Sequence, residues 1–301
     1  MPMTRITRRQ IALTLAGVPL LSALPRTATA GADAGPDALT RALPALEQRL
    51  GGRLGVYVLD TQSGRQWTWR ADERFPMCST FKVLACGAVL ARVDAGEEAL
   101  GRRIRFKAED LVTYSPVTEL HASGGGMPLG ALCEAAMTRS DNTAANLILR
   151  SLGGPAAVTA FARTLGDPAT RLDRWETALN EAQPGDPRDT TTPAAMGRNL
   201  RTLLLGPHLA PASREQLARW LQANRTGDAR LRAGLPAAWR VGDKTGSGDF
   251  GTSNDVAVIW PPGRAPVIAS VYVTECGAAF EDRNAAIADV ARALPAALEA
   301  A

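Results

Sequence analysis

The sequence predicts an α/β domain assembled from both ends of the chain, with an all-helical domain inserted between them. Three observations carry this. Strand-like alternation is confined to segments near residues 53–71 and 239–274. Helical spacing dominates from Ser79 to about Trp220. A chain of 301 residues is long enough for one large domain or two interleaved ones with a real core.

Taken in order, "DALTRALPALEQRLGG" (37–52) has helical spacing and stops at a glycine pair. "RLGVYVLD" and "RQWTWRA" alternate like strands around the turn "TQSG". "STFKVLACGAVLARVDAG" (79–96) is the clearest helix, and "PLGALCEAAMTRS" (128–140) is a second. Strand signals return in "WRVGDKTGS", "DVAVIWP" and "PVIASVYVT", and "RNAAIADVARALPAAL" (283–298) reads as one closing helix. The expected domains are 31–70 plus 221–301 for the α/β part and 71–220 for the helical part.

The first thirty residues read as an export signal. A basic start containing Arg8-Arg9 precedes an apolar stretch from Ile11 to about Leu24, and Ala28-Thr29-Ala30 fits a small-residue cleavage site. The paired arginines resemble a twin-arginine signal. Cleavage after Ala30 leaves Gly31 as the mature N-terminus. The expected location is therefore periplasmic or extracellular, with no stable membrane association after cleavage. Export to an oxidising compartment makes disulfides relevant, and the cysteines are Cys78, Cys86, Cys133 and Cys276.

The net charge of +4 is small and the basic residues are scattered, so nucleic-acid binding is not expected. His121 and His208 are isolated, so neither a histidine metal site nor any other cofactor is expected. Of 34 basic residues only Lys82, Lys107 and Lys244 are lysines. An amine can lose its proton on burial, which an arginine in practice does not.

Four segments carry chemistry. Ser79 and Lys82 stand three apart at a helix start, where they share a face and where orphan N–H groups favour developing negative charge. Ser140-Asp141-Asn142 follows the second helix and, alone, reads as a cap. Cys86 lies seven residues after Ser79, and Cys133 seven before Ser140. Seven residues span about two helical turns, roughly 10 Å. An antiparallel helix pair bridged by Cys86–Cys133 therefore brings Ser79 and Ser140 to one end, leaving Cys78 and Cys276 as thiols. The charged segment at about 171–189 carries Glu176 and Asn180 four apart, able to hold a water jointly, with Arg174 and Asp189 placed to pin its ends. Lys244-Thr245-Gly246-Ser247, on a strand, offers groups that receive a carboxylate.

S-x-x-K, then S-D-N, then K-T-G, in that order, resembles the class A serine β-lactamases, and the resemblance runs over the whole mature chain. It resembles in particular the actinobacterial and cefotaxime-hydrolysing members, and segment 171–189 resembles the family's Ω-loop. The resemblance implies the β-lactamase/DD-peptidase-like fold, an antiparallel sheet flanked by helices with an inserted helical domain. It implies a monomer that hydrolyses penicillins and cephalosporins through a Ser79 acyl-enzyme. Ser79 is then the nucleophile, with Lys82, Glu176 through a water, or both as base. Ser140 relays a proton, Glu176 and Asn180 position the deacylating water, and the N–H groups of Ser79 and Ser247 form the oxyanion hole. Substrate is held by Tyr114, Asn142, Lys244, Thr245, Gly246, Ser247 and Arg230.

Two departures stand out. Ser253 occupies the place where many members carry an arginine, so Arg230 resembles the alternative carboxylate donor of actinobacterial members. Thr177 follows Glu176 where many members have proline. The carbapenem-hydrolysing branch pairs a cysteine at the position of Cys78 with one just after K-T-G; Gly248 stands there instead, so efficient carbapenem hydrolysis is not implied. A DD-peptidase and a non-hydrolysing β-lactam sensor are the alternatives, disfavoured by Glu176 and Asn180.

Overall fold

The computed structural model describes residues 37–300 together with Pro2. The expected signal segment 1–30 and its cleavage site lie outside the described residues.

Helix α1 (Ala38–Leu50) starts where Asp37 accepts the Thr40 N–H at 3.0 Å, and it stops at Gly51, whose φ of 59° suits a residue without Cβ. Strands β1 (Arg53–Asp60) and β2 (Gln66–Trp69) form a hairpin, followed by the short β3 (Phe75–Pro76). A 3₁₀ turn, Cys78–Thr80, leads into α2 (Phe81–Asp94). Then come β4 (Arg103–Ile104), β5 (Met127–Pro128), α3 (Leu129–Thr138), α4 (Asn142–Leu152), α5 (Pro155–Thr164), β6 (Thr190–Thr191), α6 (Pro193–Leu205) and α7 (Pro211–Gln222). The single turn α8 (Leu231–Gly234) precedes β7 (Arg240–Gly248), β8 (Thr252–Trp260), β9 (Val267–Thr274), α9 (Phe280–Arg292) and α10 (Leu294–Glu299).

The expected closing helix is in fact two. Pro295 lies in the first turn of α10, and a proline cannot donate the hydrogen bond that would continue α9. The two-residue strands β3, β4, β5 and β6 are too short to leave a periodic signal.

Five strands form one antiparallel sheet in the order β2-β1-β9-β8-β7. Because side chains alternate across a sheet, each strand feeds two cores. Tyr57, Leu59, Val256, Val258, Ile268 and Tyr272 face the helices of the middle of the chain. Leu54, Val56, Val58, Ala257, Ile259 and Val271 face α1, α9 and α10. Helix α2 is buried from Phe81 to Leu90, so the central helix of the first core ends at Ser79. No helix among the described residues is long and apolar enough to cross a membrane.

The Cys86–Cys133 disulfide expected from spacing is not formed. The two residues do meet where α2 packs on α3, but as thiols: their side chains hydrogen-bond one another, and the Cys86 sulfur also lies 3.8 Å from the Cys133 carbonyl oxygen. Cys78 and Cys276 are thiols as well. Apolar packing, joined by hydrogen bonds from Lys82 to Asn142 and from Arg92 to the Ser151 carbonyl, holds α2 against α3 and α4 and brings Ser79 and Ser140 together without a covalent tie.

Candidate active site

The cleft has a volume of about 390 Å³ and is lined by Ser79, Tyr114, Ser140, Asn142, Asn180, Thr226, Arg230, Thr245, Gly246, Ser247 and Phe280. The reactive groups come from four stretches of chain: the turn before α2, the segment between α3 and α4 that carries Ser140, the loop carrying Glu176, and β7.

Ser79 is buried in the 3₁₀ turn that leads into α2, and Lys82, the second residue of α2, has no exposure. The Lys82 amine donates to Asn142 Oδ1 at 2.7 Å and to the Ser140 carbonyl at 2.9 Å, and lies 3.5 Å from Ser140 Oγ. It also forms a buried ion pair with Glu176 Oε1 at 3.0 Å. Asn142 Nδ2 in turn donates to the Thr113 carbonyl at 2.9 Å. Its amide is therefore committed first to holding Lys82 and the Thr113–Tyr114 loop. Tyr114 itself is 58% exposed at the mouth. Asp141 caps α4 through the Ala144 N–H and also binds the N–H groups of Val117 and Thr118.

Glu176 Oε1 stands 3.4 Å from Ser79 Oγ, and Asn180 Nδ2 donates to Glu176 Oε2 at 2.6 Å. Asn180 Oδ1 is left buried without a partner. The Glu176–Thr177 peptide is cis. Asn146 brackets Glu176, accepting its N–H and donating to its carbonyl, both at 2.9 Å. The ends of the loop are pinned by Arg174 Nε to Asp189 Oδ2 at 2.6 Å, and Asp189 Oδ1 also accepts the N–H groups of Asp173 and Arg174. One residue further on, β6 pairs with β3, and the Asp189 carbonyl accepts the Met77 N–H at 2.9 Å. The loop is thereby tied to the turn that carries the serine.

On β7, the Lys244 amine donates to Ser140 Oγ at 3.0 Å and to the Thr245 carbonyl at 2.9 Å. Burial first, and the charge of Lys82 second, push the Lys244 ammonium down to about 7. The Ser140 hydroxyl thus lies between two amines. Gly246 serves the fold, because a Cβ there would stand 2.7 Å from the Met77 carbonyl oxygen and 3.2 Å from Cys78 Cβ. At Gly248 a Cβ would meet Cys78 Sγ at 2.7 Å. Only side-chain-free positions let the strand close on the serine turn.

Arg230 is 3% exposed, and among the described residues it forms no ion pair within 4.0 Å. It donates from Nε to Asn284 Oδ1, from Nη1 to the carbonyls of Gly246 and Asn254, and from Nη2 to Ser247 Oγ. Four of its five N–H groups are therefore occupied, and a bidentate grip on a carboxylate is not open to it. Burial holds its pKa below the ordinary arginine range. At Ser253 the hydroxyl faces Arg283 Nε at 3.1 Å.

Sequence reasoning missed Asn146, Thr226, Asn284 and Phe280. Asn146 had a signal, since it falls one turn after Asn142 on α4. The other three come from segments without periodic or motif character. Thr226 bonds Thr245 Oγ1 at 2.5 Å. Asp255, on β8 opposite Thr245, is buried with Oδ1 unpartnered, and burial first and the Asp243 charge second raise its pKa well above the carboxylate range.

The profile of the Beta-lactamase enzyme family matches residues 38–298. The chain is 52% identical over 250 residues to "Beta-lactamase CTX-M-8" of Citrobacter amalonaticus, covering 83% of this chain and 86% of the relative. It is 49% identical over 290 residues to "Beta-lactamase Toho-1" of Escherichia coli, covering 96% and 98%. Among solved structures, the "Last common ancestor of Gram-negative bacteria (GNCA4) beta-lactamase class A" matches at 66% identity and a TM-score of 0.85, covering 87% of this chain and 99% of that one. The expected actinobacterial placement finds no support in these relatives.

Proposed function

We propose that this chain, which belongs to the class A β-lactamases, hydrolyses the lactam amide of penicillins and cephalosporins through an acyl-enzyme on Ser79 and so confers β-lactam resistance. One observation carries the reading: the Glu176 carboxylate touches both Ser79 Oγ and the Lys82 amine, while Asn180 holds its other oxygen. The similarity to CTX-M-8 and Toho-1 supports a cefotaximase-like spectrum.

In acylation, Ser79 Oγ bonds to the lactam carbonyl carbon, its proton passing to Lys82 or to Glu176. The N–H groups of Ser79 and Ser247 receive the developing oxyanion, each worth about 3 kcal/mol. The C–N bond then breaks, and Ser140, in contact with Lys82 and Lys244, delivers a proton to the departing nitrogen. In deacylation, Glu176 takes a proton from a water whose oxygen attacks the ester, and that proton returns to Ser79. The unpartnered Asn180 Oδ1 is an acceptor for that water.

The substrate carboxylate meets Lys244, Thr245 and Ser247. Because Arg230 donates into Ser247 Oγ, that hydroxyl's own proton is free to point to the carboxylate, and one Nη2 hydrogen of Arg230 remains for it. Tyr114 and Asn142 flank the acyl side chain. The enzyme acts as an exported monomer, with the cleft between the helical part (71–220) and the α/β part (31–70 plus 221–301).

Mixing purified protein with a chromogenic cephalosporin tests this. Sustained turnover is expected. A single stoichiometric event indicates a sensor, and slow turnover a DD-peptidase.

A further inference from the structure

Phe280 is a large apolar side chain left 46% exposed at the first turn of α9, on the wall of the active cleft. Two guanidinium groups lie over its ring: Arg230 Cζ is 5.6 Å and Arg283 Cζ 5.7 Å from its centroid. Both arginines are anchored elsewhere, Arg230 by Gly246, Asn254, Asn284 and Ser247, and Arg283 by Ser253 and the Ala278 carbonyl. The ring is therefore held at the end of the cleft where Arg230 and Ser247 meet. Apolar area left in water is costly at about 25 cal/mol per Å². A rigidly held ring that keeps this much area exposed on a binding wall offers it to whatever enters.

We propose that Phe280 is a specificity-determining residue, packing against the substituent that neighbours the carboxylate-bearing ring carbon of the β-lactam. The inference rests on the β-lactamase reading above. In a cephalosporin that substituent is the one at position 3, one bond from the carbon that bears the carboxylate. With the carboxylate at Ser247 and Arg230, this group lies against the Phe280 ring. The flanking charges of Arg230, Arg283 and Lys244 set its character. A neutral apolar or aromatic group gains contact, whereas a cationic group is repelled by the two guanidiniums already near the ring.

The experiment compares two cephalosporins with the same acyl side chain, one with a methyl and one with an aryl group at position 3, on the parent enzyme, Phe280→Ala and Phe280→Leu. For Phe280→Ala, KM for the aryl substrate rises about fivefold, matching loss of a partly buried aromatic contact. KM for the methyl substrate and kcat for both change less than twofold, and Phe280→Leu recovers most of the aryl preference. A thermal melt within a few degrees of the parent shows that the variant is folded. Equal changes for the two substrates, or no change for either, overturn the proposal. A parent enzyme inert toward both overturns the hydrolase reading and this inference with it.

Discussion

Replacing Glu176 with alanine separates the two halves of the reaction. The carboxylate is the acidic group in contact with Ser79 Oγ, at 3.4 Å, and Asn180 fixes its second oxygen at 2.6 Å. Removing it takes away the acceptor of the hydrolytic water's proton and leaves Asn180 alone to hold that water. A positioned general base contributes about 10²–10⁴ in rate, or roughly 3–5 kcal/mol at 1.36 kcal/mol per decade. Lys82 keeps its hydrogen bonds to Asn142 and Ser140, so the nucleophile retains an amine neighbour and acylation continues. The expected outcome is a burst of one equivalent of opened lactam, followed by turnover about 10²–10⁴-fold slower. Intact-protein mass spectrometry then finds an adduct of the substrate's mass on Ser79. Steady turnover within tenfold of the parent refutes the assignment of Glu176 to deacylation. Loss of both burst and adduct refutes acylation through Lys82 alone.

Lys244, Arg230 and Gly246 each carry a testable consequence. Lys244 titrates near pH 7 rather than near 10.5, so KM for a carboxylate-bearing substrate rises as pH passes above about 7, and Lys244→Arg flattens that rise. The same shift acts on stability: the folded state resists charging this amine, so its penalty is full below about pH 7 and fades as pH rises towards 10.5, which urea titrations across that range detect. Arg230→Ala raises KM about tenfold or more, since one charged hydrogen bond is worth roughly 1.5–3 kcal/mol, and it also lowers Tm because the Gly246 and Asn254 carbonyls lose their donor; unchanged KM removes Arg230 from substrate binding. Gly246→Ala forces a Cβ to 2.7 Å from the Met77 oxygen and destabilises by about 1–3 kcal/mol while displacing the Ser79 turn, so a variant with parental Tm and kcat contradicts the close-packing argument.

Local patterns determined much of this protein. The alternation in 53–60 and 267–274 is dictated by nearest-neighbour chemistry, and the structure places β1 and β9 there. Ser79 and Lys82 share a helix start, and Glu176 and Asn180 stand one turn apart, because those spacings are properties of the chain itself. The tertiary structure decided what no spacing encodes. It left Cys86 and Cys133 as thiols in contact, because packing two helices together fixes proximity without itself making a covalent bond. It placed Arg230, Asn284, Thr226 and Phe280 around β7 from segments far apart in the chain, through single long-range contacts that carry no period. It also turned the expected carboxylate fork of Arg230 into a buried clamp with one donor to spare. How many of a side chain's donors the protein itself consumes depends on packing, and packing is a property of the folded whole.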